Sequence, residues 1–318
     1  MADREFSFFK YVRAVSSDFF VQAKDEHELN MGSFVKVGRE SCQDAELIIM
    51  GSPQDEGVRR NKGRAGAALA PAAIRRQLYR FPVPAAARDL FMVDIGDIQP
   101  GRSLEETHDR QFQVVKYFIE QGKNLIVIGG GNDISYPDCS ALSSVEPDLF
   151  VFNIDSHLDV RSAAQRHSGT PYRQLLDEGA IQPGSFCEIA WQSMVNDRVY
   201  IDYLKSLDVH MIELSLLRRQ GIDQTLHQLL DHQKAATLFW GLDIDSVRSA
   251  DAPGASAPYP TGLKSEEICR LSFIAGRDKR TRLFEISEVN PLFDVDHRTS
   301  RLAALMILYY LNGYANRS

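Results

Sequence analysis

Eight short apolar runs recur along the chain, each separated from the next by enough residues for a helix. They are Leu47–Gly51, Met92–Gly96, Asn124–Gly130, Asp148–Asp155, Phe186–Trp191, Val209–Leu214, Thr237–Asp245 and Arg282–Asn290. Most are continuous rather than alternating in polarity. A strand apolar on both faces must be covered on both faces, the condition of a parallel sheet between two helical layers. Amphipathic stretches lie between the runs. Glu105–Gln121 and Ile222–His232 place apolar residues at three-to-four spacing; in the second these are Ile222, Leu226, Leu229 and Leu230. The alternation predicts a three-layer α/β/α fold around a mostly parallel sheet of about eight strands, with right-handed crossovers. No Pro/Gly/Ser-rich linker divides it. Residues 46–318 therefore read as one domain. Residues 1–45 do not follow the alternation and read as a helical extension packed on that domain. The long loop Ser249–Gly262 directly follows a strand, where binding loops sit.

Composition narrows the function. The 318 residues are 44% hydrophobic and 25% charged, a globular mixture. The formal net charge of −7, with no compensating basic face, argues against nucleic-acid or membrane-surface binding. No apolar run approaches the ~20 residues of a membrane span. The charged N-terminus lacks a leader-type apolar core, and four cysteines form no CxxC pair. These features predict a cytoplasmic protein with reduced thiols.

The acids collect at strand ends. Asn153–Val160, NIDSHLDV, places Asp155, His157 and Asp159 at alternate positions as an apolar run finishes. Alternate side chains of extended backbone share a face, so two carboxylates and an imidazole point into one crevice. Unpaired, such groups are costly to bury, and a divalent cation resolves the cost. Asp243 and Asp245 repeat the spacing at the end of TLFWGLDID. Without a cation the same acids read as hydrated strand ends or turn formers. Four carboxylates and one His exceed what one Zn²⁺ usually takes and suit Mn²⁺. Gly129–Gly131, followed by Asn132 and Asp133, allows a tight strand-to-helix turn but lacks the P-loop Lys-Ser/Thr ending. Glu285 and Glu288 end the last run. They cannot both face inward in ideal extended chain, and Glu288, nearer the rim, is the functional candidate.

GGGND, NIDSHLDV, GLDIDSV and EISEVNP, in that order, resemble the signature set of the ureohydrolase family, which comprises arginase, agmatinase and formimidoylglutamase. Gly51–Gly57 and Ala70–Arg75 resemble its first substrate loop and first long helix, and the likeness spans about residues 45 to 312. Asp55–Arg64 (DEGVRRNKGR), Ser168–Tyr172 (SGTPY) and Gly254–Pro258 (GASAP) are most similar to the formimidoylglutamase branch. The resemblance implies an arginase-like fold, a trimer or hexamer, and two Mn²⁺ ions per subunit. One ion would be held by Asn132, Asp155, Asp159 and Asp243, the other by Asp155, His157, Asp243 and Asp245. Most members carry His where this chain has Asn132, so the first site is expected to be weaker. The implied reaction hydrolyses N-formimidoyl-L-glutamate to L-glutamate and formamide, in histidine degradation. Asp159 would carry the proton and Glu288 would bind the cationic formimidoyl group. Ser168 stands where arginases usually have His, which argues against arginase. A guanidino compound as substrate, or a metal-poor non-catalytic homologue, are the alternatives.

A substrate with two carboxylates calls for cations at the pocket rim. Arg59, Arg60, Lys62 and Arg64 cluster in one loop, and Arg161 directly follows the metal strand. Arg60 and Arg161 are the preferred clamps, with Asn61 and Ser168 as neighbouring substrate contacts.

Overall fold

The computed structural model describes residues 8–20, 25, 27–38 and 40–317. Ten strands form one sheet: β1 (Val12–Arg13), β2 (Lys36–Val37), β3 (Leu47–Gly51), β4 (Met92–Ile98), β5 (Asn124–Ile128), β6 (Leu149–Ile154), β7 (Phe186–Trp191), β8 (His210–Glu213), β9 (Thr237–Asp243) and β10 (Thr281–Ser287). The order is β1-β4-β3-β5-β10-β9-β6-β7-β8, with β2 also on β4. Every pairing is parallel except β1 with β4. The eight expected strands are all present. The first 45 residues depart from expectation. Their described part carries short 3₁₀ turns, a single four-residue helix and two edge strands that extend the same sheet.

The helices are α1 (Met31–Phe34), α2 (Glu56–Arg60), α3 (Ala70–Leu78), α4 (Leu104–Glu120), α5 (Ser135–Val145), α6 (Pro171–Asp177), α7 (Arg198–Ser206), α8 (Leu214–Gln220), α9 (Ile222–His232), α10 (Ser265–Arg277) and α11 (Arg298–Ala315). Every residue of β3, β5, β6, β7 and β9 is buried. Alternation sorts each strand's side chains between two cores. Phe150, Phe152 and Ile154 of β6 join the core under α3 and α8–α11. Leu149 and Val151 join the core under α4–α7. Each helical layer thus covers one sheet face, which is why the apolar runs are continuous.

One buried ion cluster locks α3 to β4. Arg75 has no exposed surface; its Nε and Nη1 donate to Asp94 Oδ2 (2.7 Å) and Asp97 Oδ1 (2.5 Å), and the Tyr79 hydroxyl also donates to Asp94. Among the described residues no helix is long and apolar enough to cross a membrane.

Candidate metal centre

Four neighbouring strands, β5, β10, β9 and β6, end at the same edge of the sheet because they are parallel. Chain leaving that edge carries Asn132 after β5, Glu288 after β10, Asp243 and Asp245 at and after β9, and Asp155, His157 and Asp159 after β6. In open α/β sheets this carboxyl-end crevice is where ligands bind.

The side chains converge. Ligand atoms of Asp155, His157 and Asp245 lie within 4.8 Å of one another, as do those of Asp155, Asp159 and Asp243, so Asp155 belongs to both groups. His157 Nδ1 is 3.2 Å from Asp245 Oδ2 and 3.4 Å from Asp155 Oδ1. Backbone N–H groups orient two of the acids: His157 N–H donates to Asp155 Oδ1 (2.7 Å) and Asp245 N–H to Asp243 Oδ1 (2.8 Å).

Burial dominates the electrostatics. It pushes the carboxyls of Asp155 and Asp243 well above the ordinary range, and neighbouring Asp245 adds to the effect. It raises Asp159 to about 6 and Glu288 to about 8. Burial disfavours the His157 imidazolium too, but Asp245 and Asp155 outweigh it and hold that pKa well above the usual value. Two buried oxygens, Asp245 Oδ1 and Glu288 Oε2, have no hydrogen-bond partner. Clustered, under-satisfied carboxylates beside one imidazole fit hard or borderline divalent cations.

Asn132 differs from the simple expectation of a carbonyl ligand. Its Nδ2 donates to Asp159 Oδ2 (2.7 Å) and lies 3.5 Å from Asp155 Oδ2, while Oδ1 accepts from Ser287 Oγ (3.0 Å) and lies 3.2 Å from Ser135 Oγ, whose one proton goes to Glu285. Carbonyl ligation requires the amide turned over. Both serine hydroxyls could then accept from the NH₂ group, since a hydroxyl serves in either role.

The two glutamates are both buried, but only Glu288 lines the cavity. Glu285 accepts from Ser135 Oγ (2.6 Å) on the α5 side of the sheet. The strand stops at Ser287, and Glu288 takes a left-handed backbone (φ 63°) that swings its carboxylate round to accept from Asn132 N–H (2.7 Å).

A cavity of about 300 Å³ opens over these groups. His157, Asp159, Asp243, Asp245 and Glu288 line it together with Asn61, Lys62, Arg64, Arg161, Ser168 and Tyr259. Arg161 Nη1 donates to Asn61 Oδ1 (2.6 Å), and Asn61 Nδ2 to Ser168 Oγ (3.0 Å), which ties three of the expected substrate contacts together. Arg60 is the exception. It points away, gripping Glu105 through Nη1–Oε1 (2.5 Å) and Nη2–Oε2 (3.2 Å), with a third bond to the Arg166 carbonyl (3.1 Å). A guanidinium so committed fastens α2 to α4 and is not free for substrate. Lys62 takes the open position instead. It follows α2 in a left-handed conformation (φ 62°) that turns it into the cavity wall. Neither Lys62 nor Arg161 has a carboxylate within salt-bridge distance among the described residues. The basic cluster in the sequence flagged this loop; which member faces inward depends on Glu105.

The arginase-family model matches residues 45–312. The chain belongs to the arginase family. A formimidoylglutamase of Ralstonia nicotianae is 30% identical over 286 residues, covering 85% of each chain. The solved structure of Trypanosoma cruzi formiminoglutamase with Mn²⁺ matches at TM-score 0.86 and 35% identity, over 92% of this chain and 100% of that one. Bacillus subtilis formimidoylglutamase matches at TM-score 0.88 and 25% identity, over 97% and 98%. Within this family the chain is a metal-dependent amidine hydrolase, and the acid-lined crevice is where its metal-ligand candidates meet.

Proposed function

We propose that this arginase-family chain is a Mn²⁺-dependent formimidoylglutamase, converting N-formimidoyl-L-glutamate and water to L-glutamate and formamide. The observation that carries the substrate is the polarity of the cavity. Its floor is acidic and its wall holds three cations, Lys62, Arg64 and Arg161, none with a carboxylate partner among the described residues; Arg64 is engaged by the Ala255 and Ser256 carbonyls, which leaves Lys62 and Arg161 for substrate. An amidinium head with a dicarboxylate tail matches that gradient. Agmatine, cationic at its far end, would meet repulsion at the rim. Relatives and solved structures bearing this activity's name support the same reading.

His157, Asp155 and Asp245 would hold one ion, and Asp155, Asp159 and Asp243 the other, with Asn132 beside it. When bound, such cations acidify water and polarise the amidine carbon's substituents. The chain's own residues supply the rest. Glu288 Oε2, buried and unpartnered, would accept an amidine N–H and orient the planar group. Asp159, lining the cavity, would take a proton from water and return it to the departing glutamate nitrogen. Lys62 and Arg161 would grip the carboxylates, and Asn61 and Ser168 would fix the direction of Arg161.

The test is a panel of formimidoyl and guanidino compounds incubated with Mn²⁺-loaded protein. Formamide release from formimidoylglutamate alone is expected. Urea release from a guanidino compound, or silence across the panel, would overturn the proposal.

A further inference from the structure

Among the described residues His157 is the one imidazole of the candidate centre, yet it sits beyond the end of β6, where no ladder holds the chain. A ligand on free backbone would wander, so something else must hold it. The loop after β7 does this. Asn196 Nδ2 donates to the Ser156 carbonyl (2.8 Å), and Asn196 Oδ1 accepts from Leu158 N–H (3.1 Å). These two groups flank His157 on either side. The second Nδ2 proton goes to the Gln192 carbonyl (2.9 Å), so both donors and one acceptor of the amide are used. Its orientation is thereby determined: turned over, it would set an oxygen against two carbonyls and an NH₂ against an N–H.

Gln192, from the same loop, reaches the same strand end. Its backbone N–H donates to the Ser156 carbonyl (3.1 Å) and its Nε2 to Ser156 Oγ (2.8 Å). Its Oε1 accepts from Thr261 Oγ1 (2.7 Å) in the loop that carries Tyr259, whose ring lies 5.5 Å from that of His157. The loop after β7 thus braces the metal strand end on one side and touches the cavity wall on the other.

We infer that Asn196 is a positioning residue for the metal centre, pinning the backbone on both sides of His157 so that the imidazole is presented to the cation. The inference rests on the metal-dependent reading above. Asn196 reaches no cavity group itself; it acts through His157. Groups that orient metal ligands typically change affinity by ~10–100-fold when removed.

Mn²⁺ titration by calorimetry, with electron paramagnetic resonance counting free ion, tests this on metal-stripped full-length protein. The variants are Asn196→Ala, Asn196→Asp, His157→Ala and the double variant Asn196→Ala/His157→Ala. Asn196→Ala should weaken one bound ion by about tenfold or more. Asn196→Asp keeps the acceptor for Leu158 N–H but sets a carboxylate oxygen against two carbonyls, and should weaken that ion at least as much; it also carries the test should the alanine variant fold poorly. In the His157→Ala background, Asn196→Ala should cost no further affinity. Melting of the metal-free Asn196 variants should stay within a few degrees of wild type. Wild-type affinity in both variants, an equal loss with and without His157, or collapse of the metal-free fold in both would overturn the inference. A wild-type protein that binds no Mn²⁺ would overturn the metal reading as well, which separates the two failures.

Discussion

At the scale of single residues, burial without compensation marks the site. Asp245 Oδ1 and Glu288 Oε2 are enclosed and unpartnered. An ion so placed costs several kcal/mol unless an opposite charge meets it, which is the physical case for cations at this edge. Asp243→Ala removes a carboxylate from the group that also holds Asp155 and Asp159, and should lower turnover more than about a hundredfold, beyond what disturbing a metal's outer shell does. Bound Mn²⁺ counted by elemental analysis should fall in parallel. The rim behaves differently. Lys62→Ala and Arg161→Ala each remove a charge-assisted bond worth about 1.5–3 kcal/mol, so each should raise KM roughly ten- to hundredfold with kcat little changed in steady-state assays. The paired acids were legible in the sequence because the same alternate spacing recurs at the ends of two apolar runs, which the hydrated-end reading explains less well than a shared cation. The choice of Lys62 over Arg60 was not. It turns on Glu105, 45 positions away in sequence.

At the scale of elements, that same ion pair joins α2 to α4. Hydrogen bonding to Arg60 holds the Glu105 carboxyl down to about 2. Its folded pKa therefore lies below the unfolded value of 4.5. The stabilisation is fully present above that unfolded value and disappears as pH falls through about 2. Glu105 is two-fifths exposed, so solvent screens the effect and it is small. Arg60→Gln should be slightly less stable than wild type at pH 7 in urea unfolding, and the gap should narrow below pH 4.5. Its KM should move less than that of Arg161→Ala, since Arg60 grips a helix rather than substrate. Strand identities were legible for the reason that each buried strand of a parallel sheet is apolar on both faces. The two edge strands in the first 45 residues were not: each has two residues, too few to show a period, and each exists only because β4 offers an unpaired edge.

At the scale of the whole molecule, the site is a product of strand order. β5, β10, β9 and β6 are adjacent in the sheet though spread over some 160 residues of chain, and their parallel direction brings four sets of donors to one edge. The loops there pack without slack. A Cβ on Gly130 would lie 1.8 Å from the Gln54 carbonyl, in the loop after β3. Gly130→Ala must therefore push two catalytic-edge loops apart, costing about 1–3 kcal/mol as overpacking. A lower melting temperature together with weaker Mn²⁺ binding is the expected result; wild-type values for both would show the edge to be compliant.

By itself the sequence determined the layered α/β/α architecture, the eight main strands and the gathering of Asp155, His157, Asp159, Asp243 and Asp245 at strand ends, because periodicity and the chemistry of acids at strand ends are short-range properties. Tertiary structure alone decided the rest. It swung Glu288 towards Asn132 by turning the chain left-handed there, turned the Asn132 amide group toward Asp159, withdrew Arg60 and presented Lys62, and recruited Asn196 to hold His157. Each of those outcomes depends on partners distant in sequence, and which partners meet is settled only when the sheet has assembled.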